Sequence, residues 1–193
     1  GKCIACNSGK PNCCVNITVC GVHQDGGMAE YLAVPSYSLI HGDGLSLDEL
    51  ALIEPLAIGA HGIARAAVQK EEFVLIMGAG PIGLALMEFA QIAGARVIAM
   101  DINSRRLSFC EHKLKISFLI NTARQDPLSE LKKITNNDLP QVVIDATGNK
   151  AAIHAGFDYL AHGGRYVLVG LQKGDISFPH PDFHRREATL MSS

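Results

Sequence analysis

The chain has 193 residues, 48% of them hydrophobic, which is enough for one large domain or for a domain with an appendage. Its 17 basic and 19 acidic residues leave a net charge of −2. The chain therefore has no net positive charge that would attract nucleic acid or an anionic membrane. No apolar run approaches the roughly 18 residues of a membrane span. Nothing at the start resembles a signal peptide, and the chain begins without Met inside a cysteine cluster, which predicts a cytoplasmic location and an internal fragment.

Five of the six cysteines lie in the first 20 residues, among Gly, Pro, Asn and Ser residues typical of loops. Such a segment has too few apolar residues to hold a shape unaided, and a zinc–thiolate site is the usual staple for it. Cys3 and Cys6 form a C-x-x-C pair that lets two thiolates reach one ion. Cys13 or Cys14 could supply the third ligand, and the fourth is either Cys20 or a residue before the start of the chain.

Between residues 21 and 68 the sequence predicts a turn, a strand and two helices. Residues 25–27 (Asp-Gly-Gly) are a turn, and residues 29–34 are a strand ended by a proline. Ser46 and Glu49 form a capping box that opens the first helix. We expect that helix to break at Glu54-Pro55, because the residue before a proline avoids helical geometry.

The next stretch joins an apolar run to a glycine loop. Residues 73–77 predict a strand buried on both faces, because the run is too short for a helix and opens directly onto glycines. Gly78, Gly80 and Gly83 follow with the spacing G-x-G-x-x-G. The first allows a sharp turn, the second a close approach of backbone to a pyrophosphate, and the third close packing of a helix. Pro81 suits the first turn of that helix, whose free N–H groups favour an anion.

A second buried strand, Arg96 to Met100, ends at Asp101, about 20 residues beyond the glycines, as the dinucleotide fingerprint requires. A carboxylate there accepts hydrogen bonds from the adenosine ribose hydroxyls and repels a 2′-phosphate, which favours NAD over NADP. Arg105 and Arg106 keep NADP open as an alternative, because arginines just past this acid can pair with a 2′-phosphate.

Strands and helices alternate through the rest of the chain, which predicts a doubly wound parallel α/β sheet. The predicted strands are 118–120, 141–145, 165–170 and 188–193, and the predicted helices are 104–113, 128–134 and 150–160. Ligands of such sheets lie beyond the carboxyl ends of the strands. The residues at those ends are Thr147, Gly148, Val169, Gly170 and Leu171.

Several motifs, in order along the chain, resemble the medium-chain, zinc-dependent alcohol and polyol dehydrogenases. They are Gly1-Lys2-Cys3-Ile4-Ala5-Cys6 with Cys14, the stretch Gly21 to Tyr31, Glu54-Pro55-Leu56, the glycine fingerprint and Asp145-Ala146-Thr147-Gly148. The resemblance implies that residues 1–68 are a partial catalytic domain, made of a structural-zinc lobe (1–20), a strand and turn region (21–43) and bridging helices (44–68). Residues 69–193 would be a Rossmann domain truncated at its C-terminus.

The resemblance also implies roles for individual residues. Cys3, Cys6 and Cys14 would be ligands of a structural zinc whose first ligand precedes the chain. Glu54 would bind or lie beside the catalytic zinc, and its alternative role is a first-turn charge favoured by the helix dipole. The cofactor would be NAD, bound by Gly78, Gly80, Pro81, Ile82, Gly83, Asp101, Arg106, Thr147, Val169, Gly170 and Leu171.

These residues predict an NAD-dependent, zinc-assisted dehydrogenase of a secondary alcohol, most like the polyol and sugar-acid branch. The alternative is an NAD-binding sensor or assembly module in which zinc is only structural. A homodimer or homotetramer is expected, with Ile176-Ser177-Phe178 either pairing between subunits or covered by its own chain. The chain alone is expected to bind cofactor without oxidising alcohols, since Glu54 would be its only catalytic-zinc ligand.

Overall fold

The structure, a computed structural model, describes all 193 residues. The chain divides into two compact units, Gly1–Leu45 and Ser46–Ser193. The predicted boundary after residue 68 concerns the domains of a whole enzyme and remains a prediction, while residues 46–68 group here with the second unit. None of the helices has the length and apolarity that crossing a membrane requires.

The first unit, Gly1–Leu45, consists of short turns and contains no buried residue. Its regular elements are the helix α1 (Ile4–Asn7) and two single turns of 3-10 helix (Pro11–Cys13 and Ser36–Ser38). An isolated bridge joins Cys20 to Gln24. With so little apolar burial, a unit of this kind depends on other bonds for its shape, as the composition of its first 20 residues predicts.

The strand predicted over residues 29–34 does not form. These residues are exposed, and none of them pairs with another strand. A strand is stable only when a neighbour satisfies its backbone hydrogen bonds, and the first unit provides no such neighbour. The prediction is therefore wrong for this segment, although the chain does turn after Pro35 into the second 3-10 turn.

The second unit is a six-stranded parallel sheet with helices on both faces. The strands are β1 (Phe73–Met77), β2 (Arg96–Asp101), β3 (Phe118–Asn121), β4 (Val142–Asp145), β5 (Arg165–Leu168) and β6 (Thr189–Ser192). The helices are α2 (Leu47–Ala51), α3 (Ile53–Ala66), α4 (Pro81–Ile92), α5 (Ser104–His112), α6 (Pro127–Ile134), α7 (Lys150–Gly156) and α8 (His180–Arg185). The strand order is β3-β2-β1-β4-β5-β6, with every neighbouring pair parallel. This is the predicted doubly wound Rossmann fold.

The break between the first two helices of the second unit lies slightly earlier in the chain than expected. α2 begins at the predicted capping box, where Glu49 Oε2 accepts the Ser46 N–H at 2.8 Å. The break comes at Leu52, so that Glu54 and Pro55 lie in the first turn of α3. Proline is tolerated there because an N–H in the first turn has no intrahelical acceptor. The predicted break at Glu54-Pro55 is therefore displaced toward the N-terminus.

The strands are buried on both faces, which explains their unbroken apolar runs. Successive residues of β1 point to opposite faces. Val74 and Ile76 pack with side chains of α3, α4 and α5, whereas Leu75 and Met77 pack with side chains of α6 and α7. Cys110 is fully buried in the first of these clusters, and burial raises the pKa of its thiol.

In the second unit the predicted strands form within two residues of their expected bounds. β5 stops at Leu168, where the Val169 N–H makes the last ladder bond to the Asp145 carbonyl oxygen at 2.9 Å. The Gly170 N–H donates to the same oxygen at 2.9 Å, so the backbone leaves the strand at this point. α7 also ends four residues early, at Gly156. Carbonyl groups just after it accept hydrogen bonds from the Arg186 guanidinium instead of from a continuing helix.

The segment Ile176-Ser177-Phe178 is partly covered by its own chain, since Ile176 and Phe178 are half-buried and Ser177 is exposed. The Phe178 ring stacks on Phe157, with 4.6 Å between ring centroids, and lies 4.8 Å from the Phe183 ring. These contacts favour the alternative in which the segment is covered by its own chain, because this small aromatic cluster gives the Phe178 side chain partners within the chain. Pairing between subunits remains a prediction.

Candidate functional site

The glycine loop after β1 is shaped by close contacts that only glycine permits. Gly78 has φ +100°, which side-chain-bearing residues rarely adopt, and a Cβ on Gly83 would overlap the Gly78 carbonyl oxygen. These glycines let α4 begin directly against the loop, with Pro81 as its first residue. A Cβ on Gly80 would meet no protein atom within 4 Å. Gly80 thus faces open space, where a ligand can approach the backbone.

Asp101, at the end of β2, is tied to the glycine loop. One of its carboxylate oxygens accepts the Ala79 N–H at 2.7 Å, and the other accepts the Asn103 N–H at 2.8 Å. The Arg106 guanidinium lies 3.7 Å from the oxygen that binds Ala79. Asp101 is only 8% exposed, yet an ionised carboxylate has further lone pairs with which it can accept hydrogen bonds from ligand hydroxyls.

A cleft of about 490 Å³ opens at the carboxyl ends of β1, β2 and β4, where the strand order reverses. The predicted cofactor residues that line it are Gly78, Gly80, Asp101, Arg106 and Thr147. The predicted cofactor residues outside its lining are Pro81, Ile82, Gly83, Val169, Gly170 and Leu171. Of these, Ile82 packs against the core, and Leu171 is 93% exposed.

The far wall of the cleft is formed by residues that the sequence does not single out as binding residues. Ala152 and Ala155 of α7 contribute to it, together with Tyr159, Thr122 and Pro127. Ala152, Ala155 and Tyr159, from α7 and the turn after it, recur at helical spacing. Two small side chains and a tyrosine along one face of a helix that follows a strand end are the signal that could have identified this wall. Burial, with a smaller effect of nearby carboxylates, raises the pKa of the Tyr159 hydroxyl.

Asp145, the last residue of β4, is a carboxylate with no exposed surface. Its Oδ1 accepts the Thr147 hydroxyl at 2.5 Å and the Thr147 N–H at 3.3 Å, and its Oδ2 accepts the Gly148 N–H at 3.0 Å. Burial raises the pKa of the Asp145 carboxyl above its ordinary value, although these hydrogen bonds act in the opposite direction. Asp145 therefore does not line the cleft but holds the turn that does.

The thiols of Cys3, Cys6 and Cys14 lie within 4.8 Å of one another, and no other three His, Cys, Asp or Glu side chains converge in this way. Cys3 Sγ and Cys6 Sγ are 3.6 Å apart. Cys13 and Cys20 are exposed and lie outside the group. The geometry thus selects Cys14 rather than Cys13 as the third thiol, and three thiolates at this separation fit three corners of a tetrahedral zinc site.

The backbone around these thiols favours ionisation of one of them. Hydrogen bonds from the backbone of Cys6 and Val15 lower the pKa of Cys3 to about 6. Hydrogen bonding with the Cys14 thiol raises the pKa of Cys6. Because the thiolate rather than the thiol binds metal, Cys3 is a readier ligand than Cys6 near neutral pH.

Glu54 is exposed in the first turn of α3. Its apolar neighbours do not bury it, since Ile53 and Leu56 are themselves 49% and 37% exposed. Glu54 belongs to no group of three potential metal ligands. A negative charge at the positive end of a helix is favourable in any case, and a role at a catalytic zinc remains a prediction.

The family model described as zinc-binding dehydrogenase matches residues 81–193, which is more than half of the chain. The match contains Asp101 and the strands β2 to β6. The chain belongs to the zinc-binding dehydrogenase family. Its membership confirms the resemblance to medium-chain, zinc-dependent alcohol and polyol dehydrogenases, which rests on the motifs of both units.

Named members of this dehydrogenase family are similar to the chain over most of its length. L-Galactonate-5-dehydrogenase of Escherichia coli K12 is 43% identical over 192 residues, which cover 100% of the chain and 56% of the relative. Sorbitol dehydrogenase of Bacillus subtilis is 34% identical over 174 residues, which cover 89% of the chain and 51% of the relative. The chain thus spans about half the length of the curated relatives it matches.

Solved structures confirm the fold. An alcohol dehydrogenase from Escherichia coli CFT073, complexed with NADH, matches with a TM-score of 0.90 at 28% identity, covering 100% of this chain and 57% of that one. The alcohol dehydrogenase of Aeropyrum pernix matches with a TM-score of 0.87 at 27% identity, covering 100% of this chain and 58% of that one. The likeness extends over both units of the zinc-binding dehydrogenase chain.

Proposed function

We propose that the whole protein to which this chain belongs is an NAD-dependent, zinc-assisted dehydrogenase that oxidises a secondary alcohol, either a polyol or a sugar acid. The observation that carries this proposal is the glycine loop tied to Asp101, with the Ala79 N–H donated to Asp101 and open space beside Gly80. The NADH complex of a structural neighbour supports the cofactor. The names of the galactonate and sorbitol dehydrogenases support the substrate class.

The residues around the cleft fit a dinucleotide. The free N–H groups and the dipole at the start of α4 favour a diphosphate beside Gly80. Asp101 can accept hydrogen bonds from the adenosine ribose hydroxyls, and its charge disfavours a 2′-phosphate. Arg106 offsets part of that charge from 3.7 Å, so the discrimination against NADP is weaker than an unpaired carboxylate would provide.

When bound, NAD supplies the hydride acceptor and a catalytic zinc polarises the substrate hydroxyl. Within this chain, Glu54 is the candidate for contact with that zinc. Cys3, Cys6 and Cys14 would hold a separate structural ion through their converging thiols. Such an ion would stabilise a unit that buries none of its own residues.

The proposal includes a cytoplasmic location and a homodimer or homotetramer, both supported by the resemblance to the medium-chain dehydrogenases. Light scattering on the whole protein tests the assembly. A monomer at micromolar concentration would contradict it.

The cofactor is tested by titrating the chain with NADH and NADPH. We expect the wild type to bind NADH more tightly than NADPH. Asp101→Ala should raise the dissociation constant for NADH by about tenfold or more, because hydrogen bonds to a charged group are lost. The loss for NADPH should be smaller. Asp175→Ala, which removes an exposed aspartate, controls for net charge. Equal losses for the two cofactors, or a wild-type preference for NADPH, would contradict the proposal.

A further inference from the structure

The turns that follow two strands are both bonded to one residue, Asp145. Its carboxylate binds the turn after β4 through Thr147 and Gly148. Its carbonyl oxygen accepts the N–H groups of Val169 and Gly170, in the turn after β5. Both turns carry predicted cofactor residues, so a single buried residue holds together the backbone on which those residues sit.

The packing around the β4 turn leaves it little freedom. A Cβ on Gly170 would lie 2.7 Å from Asp145 Oδ2 and would overlap the Gly148 nitrogen. A Cβ on Gly78 would lie 3.0 Å from the Thr147 methyl group. The β4 turn is thus confined between the β5 turn and the glycine loop. Because Gly78 and Thr147 both line the cleft, any displacement of Thr147 changes the width of the cleft.

The Thr147 hydroxyl is engaged by the protein itself. It donates its proton to Asp145 Oδ1 at 2.5 Å and accepts the Asn149 N–H at 3.0 Å. A hydroxyl has one proton and two lone pairs. Thr147 therefore keeps one lone pair for a ligand and has no proton left to donate to a phosphate.

We propose that Asp145 is a positioning residue for the cofactor, which fixes the Thr147 side chain and the Gly148 N–H so that the β4 turn forms a rigid wall of the cleft. This role rests on the proposed binding of NAD. Asp145 acts through the turn and not by contact, since none of its surface is exposed. The free lone pair of the Thr147 hydroxyl can accept a hydrogen bond from a donor of the dinucleotide, such as a ribose hydroxyl or an amide.

Variants of Thr147 test this role with the Asp145 side chain itself unchanged. Thr147→Val keeps the shape of the side chain but removes the hydroxyl, and Thr147→Ser keeps the hydroxyl. We expect the dissociation constant for NADH to rise about tenfold in the valine variant, the effect of losing one hydrogen bond to a charged group. The serine variant should stay close to wild type. Thr189→Val, an exposed position on β6, is the matched control.

Asp145→Asn tests the acid itself. One carboxylate oxygen becomes an NH₂ group, which would face either the Gly148 N–H or the donors of Thr147 and cannot accept from them. We expect a loss of NADH affinity at least as large as in Thr147→Val. Combining Asp145→Asn with Thr147→Val should add little further loss, because both changes release the same turn.

The melting temperature of each variant is measured beside its NADH affinity, because a merely structural role would change only the former. Wild-type affinity in Thr147→Val, or the same loss in the serine and valine variants, would overturn the positioning role and leave the proposed function standing. A wild-type chain that does not bind NADH would overturn the proposed function, and the role of Asp145 with it.

Discussion

Two aspartates at strand ends, Asp101 and Asp145, differ in how far a ligand can reach them. Asp101 keeps 8% of its surface exposed in the cleft and has lone pairs for a ligand, whereas Asp145 has none of its surface exposed. Each accepts backbone N–H groups of a neighbouring turn. The difference in exposure therefore separates a residue that can contact the cofactor from one that shapes the backbone around it.

The buried aspartate should make stability depend on pH. Burial raises the pKa of Asp145 above its ordinary value of 3.8, so the native state holds this proton more tightly than the unfolded state. The stability that this proton contributes is fully present below the pKa that Asp145 has in the unfolded state. It is lost as the pH rises through the pKa that Asp145 has in the native state. Asparagine does not titrate. We therefore expect Asp145→Asn to become more stable relative to wild type as the pH rises from about 4.

Urea unfolding of both proteins between pH 4 and pH 7 measures this difference. The hydrogen bonds lost in Asp145→Asn contribute an offset that does not depend on pH, so the trend with pH is the informative quantity. The exposed Asp175, changed to asparagine, is the control. A stability difference between wild type and Asp145→Asn that stays constant or shrinks with rising pH would contradict the expectation.

At the level of elements, the junction between β1 and α4 has two glycines with different tasks. Gly83 is required by the protein, because a Cβ there would overlap the Gly78 carbonyl oxygen. Gly80 is not required by the protein, since a Cβ there would meet no atom within 4 Å and its φ is −83°. The space beside Gly80 is therefore not filled by protein packing and has room for a ligand.

Alanine at these two positions should separate folding from binding. Gly83→Ala forces α4 away from the loop, and overpacking of this kind costs about 1–3 kcal/mol, so the urea midpoint should fall. Gly80→Ala should keep the wild-type midpoint but weaken NADH several-fold or more, because its methyl group occupies the space of the diphosphate. Equal destabilisation by the two changes, or unchanged NADH affinity in Gly80→Ala, would show that the loop is purely structural.

The elements of the second unit were predictable because each strand is a short apolar run enclosed by turn residues. The spacing of the glycines and Asp101 further predicted one wall of the cleft, which includes Gly78, Gly80 and Asp101. The wall formed by Ala152, Ala155 and Tyr159 was not predicted, because small residues on a helix read as ordinary packing until the opposite side is known to be empty.

Predictions failed where the decisive partner was distant or absent. Residues 29–34 have the composition of a strand but no neighbour to pair with. The alternation around Phe178 left two alternatives open, and the contacts with Phe157 and Phe183 that favour one of them are distant in sequence or outside the segment. β5 ends early where the Gly170 N–H shares the Asp145 carbonyl oxygen with the Val169 N–H. Such tertiary contacts override local patterns, and sequence alone does not reveal them.

At the scale of the whole molecule, the described residues hold a cofactor cleft and a cysteine cluster but no second group of metal ligands. We therefore expect the 193-residue chain to bind NADH without oxidising alcohols, because a single carboxylate at Glu54 cannot fix a catalytic zinc. The assay uses NAD, added zinc and a panel of polyols, aldonates and threonine, with the whole protein as the positive control. Turnover by the chain alone would contradict this expectation.

In the whole protein, Glu54→Gln should lower turnover by about 10- to 100-fold, the usual effect of disturbing a residue at or beside a metal. NADH affinity should change little. Asp48→Asn, another exposed acid in a first helical turn, is the matched control. Equal effects of the two changes would reduce Glu54 to a helix-dipole charge. Cofactor binding without turnover by the whole protein would favour a sensor or assembly module.

The order of the strands has a consequence for how the sheet is assembled. Each neighbouring pair of strands is joined by a single crossover helix, except β1 and β4, where the Phe73 N–H reaches Gln141 Oε1 across 68 residues. We expect closing that long loop to cost more entropy than closing the shorter crossovers, so that the two three-stranded halves form earlier from contacts nearer in sequence. The cleft lies across the junction between β1 and β4, where the two halves of the sheet meet. A ligand seated there therefore binds only the joined halves and holds them together by mass action.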